Sequence, residues 1–209
     1  MKEQLRIKII GVGGSGSVSV SNLYEMDGDN IRLYAIDSCI NTYGRLQYIA
    51  GDFWVMGENW IQIGKELLGG LGAAACPKNA GLAAHENIDA IKKVLQDADI
   101  VILTAGLGGG IGSGVTPVVA ELCKNNGIRT MGVFTVPFQL ESVKRTMNAT
   151  NSLREMVEHF DYISILKCDQ LVDDIDGEMK AHKLEAWWKA WDIIDQERTS
   201  KIIRVLKEL

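Results

Sequence analysis

The stretch TAGLGGGIGSG (104–114) holds six glycines in eleven residues, directly after the apolar run DADIVIL (97–103) and directly before VTPVVAELCK (115–124). An ordered glycine loses more backbone entropy than any other residue, so this density needs a reason, and the chemistry it permits is anion binding. A loop without side chains lets backbone N–H groups approach an anion closely, and a helix starting at its end adds the positive end of the helix dipole. Two further segments have the same form: GVGGSGS (11–17) follows LRIKII, and GLGAAACP (70–77) precedes a helical pattern. Any one of them fits a tight turn equally well. Three on one rim would cradle a polyphosphate.

The elements that must carry these loops follow from the hydrophobic patterning. Short, almost unbroken apolar runs at 5–10, 31–36, 99–104, 128–136 and 161–166 predict strands,. Helical periodicity predicts helices near 16–27, 79–97, 113–126 and 141–159, with one long helical pattern from about 177 to 208. Strands that alternate with helices predict an α/β fold, a mostly parallel Rossmann-like sheet with helices on both faces. Strands that are apolar throughout fit a sheet covered on both sides. In such a sheet ligands bind beyond the carboxyl ends of the strands, and each glycine-rich loop falls at one of those ends. Residues 44–71, including DFWVMGENW, predict only a partly buried loop or irregular strand.

Composition narrows the function classes. With 209 residues, 46% hydrophobic and 23% charged, the chain can bury a sizeable core,. Its net charge of -5 and lack of a basic run argue against nucleic acid or an anionic membrane surface as a partner,. No stretch approaches the eighteen apolar residues of a membrane span and no signal peptide is evident, which predicts a cytoplasmic protein without membrane insertion. Cys39, Cys76, Cys123 and Cys168 form no CxxC pair, so neither a zinc site nor a thioredoxin-like centre is indicated,.

Two nucleotide sites fit these residues. Gly11, Gly13 and Gly16 satisfy G-x-G-x-x-G after a strand, and Asp37 closes the second strand about twenty residues later, the fingerprint of an NAD-binding Rossmann site,. That reading has no use for the denser loop at 106–114 or for the alanine-glycine loop at 70–77. No GK[ST] follows any of the glycine clusters, so a Walker A loop is absent,.

Four segments in order, IKIIGVGGSGS, QIGKELLGGLGAAACP, TAGLGGGIGSG with TPVVAELCK, and VPFQLESVKR, resemble the FtsZ/tubulin GTPases, FtsZ more closely than tubulin. The resemblance runs from about residue 5 to about 172 and implies a nucleotide-binding domain over 1–176 followed by the family's central helix over 177–209. It implies GTP or GDP as ligand, with room for Mg²⁺. Gly13, Gly14 and Ser15 would line the α/β-phosphate side, and Ala73, Ala74 and Ala75 match the loop that senses the γ-phosphate. Gly106, Gly108, Gly109, Gly110, Ile111, Gly112 and Ser113 match the phosphate loop itself. Asp37 stands at the end of the second strand, beside it. Glu141 and Arg145 match a pair at the ribose and base, Cys168 takes the place of a base-contacting Asn, and Trp188 with Asp192 fit the aromatic and acid that hold guanine.

Departures from the family temper this. Cys39 replaces an expected metal-side Asp, and a thiol is a poor Mg²⁺ ligand. The segment that carries the family's in-trans catalytic acid, and the second domain it opens, lie beyond the pattern of these 209 residues, which predicts weak or absent hydrolysis by this chain alone. A catalytically silent, nucleotide-gated scaffold is the alternative. Asp173, Asp174 and Asp176 are the acids available to substitute. On the terminal helix Trp187, Trp188, Trp191, Ile194, Ile202 and Val205 fall along one side. That stripe predicts a naturally short protein that forms a homo-oligomer partly through residues 187–209, by contacts unlike a head-to-tail filament.

Overall fold

The computed structural model describes residues 5–172 and 184–209. Its centre is a six-stranded sheet in the order β3-β2-β1-β4-β5-β6. The strands are β1 (Ile7–Val12), β2 (Ile31–Asp37), β3 (Trp60–Gln62), β4 (Ile100–Gly106), β5 (Arg129–Val136) and β6 (Tyr162–Lys167). Every pairing is parallel, with Ile7 of β1 opposite Ile31 on one side and Ile100 on the other. The α/β class and the parallel sheet expected from the alternating pattern are therefore present.

Side-chain alternation along each strand sorts the core into two layers. Ile10, Val12, Val101, Leu103, Ala105 and Phe134 point to one face, where they meet α4 (Pro77–Glu86), α5 (Ile88–Leu95), α6 (Gly110–Asn125) and α7 (Val143–Met156). Ile7, Ile9, Leu33, Ile100, Ile102 and Val133 point to the other, against α1 (Gly13–Ser21), α2 (Ile40–Ala50) and the terminal helix α9 (Leu184–Lys207). The short helices α3 (Lys65–Leu68) and α8 (Cys168–Leu171) and three 3-10 turns, Tyr24–Met26, Gly51–Phe53 and Val157–His159, complete the described elements.

Where the structure departs from the sequence expectation, local causes are visible. Helices α1 and α6 begin at Gly13 and Gly110, three residues before the predicted starts, because Gly14 in the one and Gly110 and Gly112 in the other belong to the first turn rather than to the loop. The single helix expected over 79–97 is two helices meeting at Asn87, whose side-chain oxygen accepts a hydrogen bond from Gly64 N at 2.7 Å. Residues 44–71 contain a real strand, most of α2 and all of α3; β3 is three residues long and α2 buries only Leu46, so neither projects a periodic stripe. Asp173, Asp174 and Asp176 lie outside the described residues.

The stripe on α9 is corrected most. Ile194, Ile202 and Val205 are buried against the protein's own core, and Trp187 and Trp191 pack edge-on to Phe138 at 5.7 and 6.0 Å. The helix lies on the sheet rather than reaching past it, so it offers no long free apolar surface to a second copy. Trp188 alone of the three tryptophans stays exposed, at 57%. Among the described residues no helix is long and apolar enough to cross a membrane. Trp60, fully buried beside Tyr43 with ring centroids 5.0 Å apart, supports the β2–β3 edge. Urea titration of Trp60→Ala should show a loss of about 3–5 kcal/mol, whereas Trp188→Ala should stay within about 0.5 kcal/mol of the parent.

Candidate functional site

Strand order reverses between β1 and β4, since the chain builds outward from β1 first to one side and then to the other. At the carboxyl ends of such a pair the loops diverge and leave a crevice. Here α1 and α6 begin at that crevice, and both expose first-turn N–H groups that have no partner inside the helix,. A cleft of about 330 Å³ lies between them, within the range of small-ligand sites,. Gly13, Gly14, Ser15, Asp37, Ala73, Ala74, Ala75, Gly106, Gly109, Gly110, Ile111, Gly112 and Arg145 line it, together with Cys39, Thr42 and Gly72. The three glycine-rich loops thus meet on one rim.

Two expected residues shape the cleft from behind. Gly108 N donates to Ser113 Oγ at 2.8 Å, and neither residue lines the cleft. Gly108 needs to be glycine, with φ +102° and a Cβ that would stand 2.4 Å from Pro137 Cγ. Gly109 differs: its φ is -77° and an added Cβ would meet nothing within 4 Å. No left-handed conformation protects that position, so a side chain there enters open space on the cleft wall.

The alanine loop is strained, with Ala74 and Ala75 at φ +47° and +53°. Left-handed backbone at a residue with a Cβ costs on the order of 1–3 kcal/mol and clusters at ligand clamps. Asn148 of α7 holds the loop, its Nδ2 donating to Ala75 O at 3.0 Å and to Gly108 O at 3.1 Å. No motif spacing marks Asn148, so the sequence pattern misses this clamp.

A smaller cavity of about 50 Å³ adjoins the cleft and shares Ser15, Gly106 and Arg145 with it. Thr135, Glu141, Cys168 and Trp191 also line it. Glu141 is ion-paired with Arg145 and accepts from Phe138 N at 2.9 Å. Burial pushes the Cys168 thiol up to about 12, so at neutral pH it is a neutral S–H. Trp188 and Asp192 line neither cavity; Trp191, one turn further along α9, is the tryptophan that does.

Asp37 is the carboxylate of the cleft. It is buried and accepts from Ser38 N at 2.7 Å and Cys39 N at 3.3 Å, yet burial outweighs these bonds and raises its pKa. Among the described residues no group of three or more His, Cys, Asp or Glu could hold a metal ion. Mg²⁺ commonly needs only one or two carboxylates plus substrate phosphates. Asp37, with Thr42 beside it across from Gly14, fits a cation that arrives with phosphates.

A family model described as the Tubulin/FtsZ family, GTPase domain, matches residues 6–176. The chain belongs to that family. It is 39% identical over 166 residues to the cell division protein FtsZ of Aquifex aeolicus, covering 79% of this chain and 43% of that one. With FtsZ of Buchnera aphidicola the identity is 34%, covering 79% and 41%. Among solved structures, the empty FtsZ dimer of M. jannaschii superposes with a TM-score of 0.82 at 30% identity, over 97% of this chain and 54% of that one. GDP-bound CetZ1 from Haloferax volcanii shares the fold, with a TM-score of 0.77 at 23% identity over 94% and 58%. The chain spans about half the length of these relatives. Membership of the tubulin/FtsZ family favours that family's phosphate site over the NAD-binding alternative that the glycine spacing left open.

Asp37 also sets a pH dependence in this tubulin/FtsZ domain. A carboxyl whose pKa is raised by folding stabilises the fold while protonated; that contribution is complete below its unfolded pKa and is lost as pH rises through the folded one. Asp37→Asn, which keeps one acceptor without the charge, should melt above the parent at pH 7.5 without divalent cations. The gap should close towards pH 4, as scanning calorimetry across that range would show.

Proposed function

We propose that this domain binds GTP or GDP, with the phosphates between the α1 and α6 N-termini and the nucleoside towards the smaller cavity. The observation that carries this is the convergence of two unpartnered helix N-termini and a strained alanine loop on one cleft. Backbone N–H groups and Arg145 supply the positive potential, since among the described residues no lysine lines either cavity,. Mg²⁺ would travel with the phosphates, beside Asp37. Support for guanine comes from the family, and Cys168 is the residue through which this chain's base contacts differ.

Turnover by the 209-residue chain is slow in this reading. Phosphoryl transfer to water needs a group that positions the nucleophile. Among the described residues the one acid lining the larger cleft is Asp37, which is buried, bonded to two backbone N–H groups and disfavoured as a carboxylate. We also propose that the protein self-associates as part of a cell-division or cytoskeletal system. FtsZ of M. jannaschii is described as a dimer. Exposed Leu71, Val143 and Met147 stand on the segments that frame the phosphate loops and give the contact a nucleotide-side face.

Calorimetric titration with GTP and GDP tests the ligand. Gly109→Val should fold with parental stability yet lose at least about tenfold in affinity, equivalent to about 1.4 kcal/mol; unchanged binding in that variant would remove the cradle. Phosphate release should be slow or undetectable at every protein concentration, and fast, concentration-dependent release would show that an acid of this chain acts on a neighbour. Light scattering with and without GTP checks association, and Met147→Asp should weaken it.

A further inference from the structure

Arg198 of α9 is completely buried, although it carries a cation. Its Nη1 donates to Ser15 Oγ at 2.8 Å and its Nη2 to Thr135 Oγ1 at 3.1 Å. Asp195, one turn earlier on α9, is 3.6 Å from Nη2, and Nε has no partner. Serving α9 alone would not require this geometry, because the guanidinium reaches across to α1 and β5 and ends on two hydroxyls that both line the smaller cavity.

Hydrogen-bond polarity then fixes the chemistry. A guanidinium has donors and no acceptor, so both hydroxyl oxygens must accept from Arg198. Each hydroxyl proton is left to point elsewhere, and among the described residues neither Ser15 nor Thr135 donates to a protein acceptor. Between the two oxygens lies Gly106: a Cβ there would stand 3.1 Å from Ser15 Oγ and 3.6 Å from Thr135 Oγ1. The gap that the two hydroxyls face is therefore kept open by the absence of a side chain. Polarisation by a buried cation also strengthens the hydrogen bond that each hydroxyl can donate.

We propose that Arg198 is a positioning residue that turns Ser15 and Thr135 into a pair of hydrogen-bond donors, set to receive an acceptor oxygen at the sugar-phosphate junction of a nucleoside phosphate. The proposal rests on the nucleotide reading of the cleft and adds to it a residue that touches no ligand. It predicts that Arg198 acts through Ser15, so the effects of losing either overlap.

The test is calorimetric titration of the 209-residue protein with GDP, with near-UV circular dichroism to confirm folding. Ser15→Ala and Arg198→Met should each weaken GDP by about tenfold, the scale of one good charge-assisted contact. The double variant should be no more than about twofold worse than Arg198→Met alone, because Arg198 acts in part through the hydroxyl that Ser15→Ala removes. Should Arg198→Met fail to fold with Asp195 left unpaired, Asp195→Leu/Arg198→Met removes both charges and should show the same loss and the same overlap with Ser15→Ala. A folded Arg198 variant with parental GDP affinity overturns the proposal, since a merely structural arginine would lower the melting temperature alone. Losses that add in the double variant overturn it as well. If the parent protein binds neither GDP nor GTP, the nucleotide reading itself fails.

Discussion

Backbone N–H groups in the first turn of a helix have no partner within it, and this protein gathers two such turns at the gap where its strand order reverses. Much else follows from letting α1 start immediately at the end of β1 and α6 only three residues after β4. Helix α1 leaves β1 without a connecting residue, so its backbone crowds the sheet: a Cβ on Gly11 would lie 2.5 Å from Gly16 O, and one on Gly16 would lie 2.2 Å from Thr104 O. At Gly11 and Gly16, which do not line the cleft, packing alone excludes a side chain, whereas at Gly109, where an added Cβ would meet nothing within 4 Å, glycine leaves the cleft wall open.

That crowding also decides how α9 sits. Serines at 17, 19 and 21 are buried, which keeps α1 thin enough for α9 to lie against it. Between the two helices runs a polar seam: Ser19 Oγ reaches Asp195 Oδ1 at 3.5 Å, and Thr199 Oγ1 lies 3.2 Å from Ser19 O. An apolar face permits rotation of a helix about its axis, whereas a seam of this kind has one register. Buried charges are costly to separate and add little net stability against an apolar replacement, so the seam specifies orientation more than it holds the fold together.

The sequence patterning carries the sheet well because every strand but β3 is a long apolar run, and the alternating elements leave few topologies open. The meeting of the glycine loops on one rim was legible because each falls at the carboxyl end of a strand or the start of a helix, which the sequence displays directly. Contacts that depend on three-dimensional aim were not legible. Asn148 is one polar residue in an amphipathic helix, and nothing in its spacing points to the two loops it ties. Arg198 left a faint trace: it falls four residues after Ile194 and four before Ile202, squarely on the apolar stripe, where a cation has to be paired. The three tryptophans at 187, 188 and 191 read as one surface patch, yet two of them fold inward on Phe138, because helical spacing fixes a direction only once the neighbouring element is placed.

The left-handed alanines have a consequence beyond strain. Glycine at 74 and 75 would adopt the same backbone at no steric cost but would also populate many other conformations, all of which a bound anion would have to suppress. Alanine narrows that ensemble, and the Asn148 bonds to Ala75 O and Gly108 O tie what remains to the neighbouring loop. The loop is therefore a rigid template whose amide directions are fixed by its own backbone, and toward the anion proposed above it would select by shape rather than by any side-chain functional group.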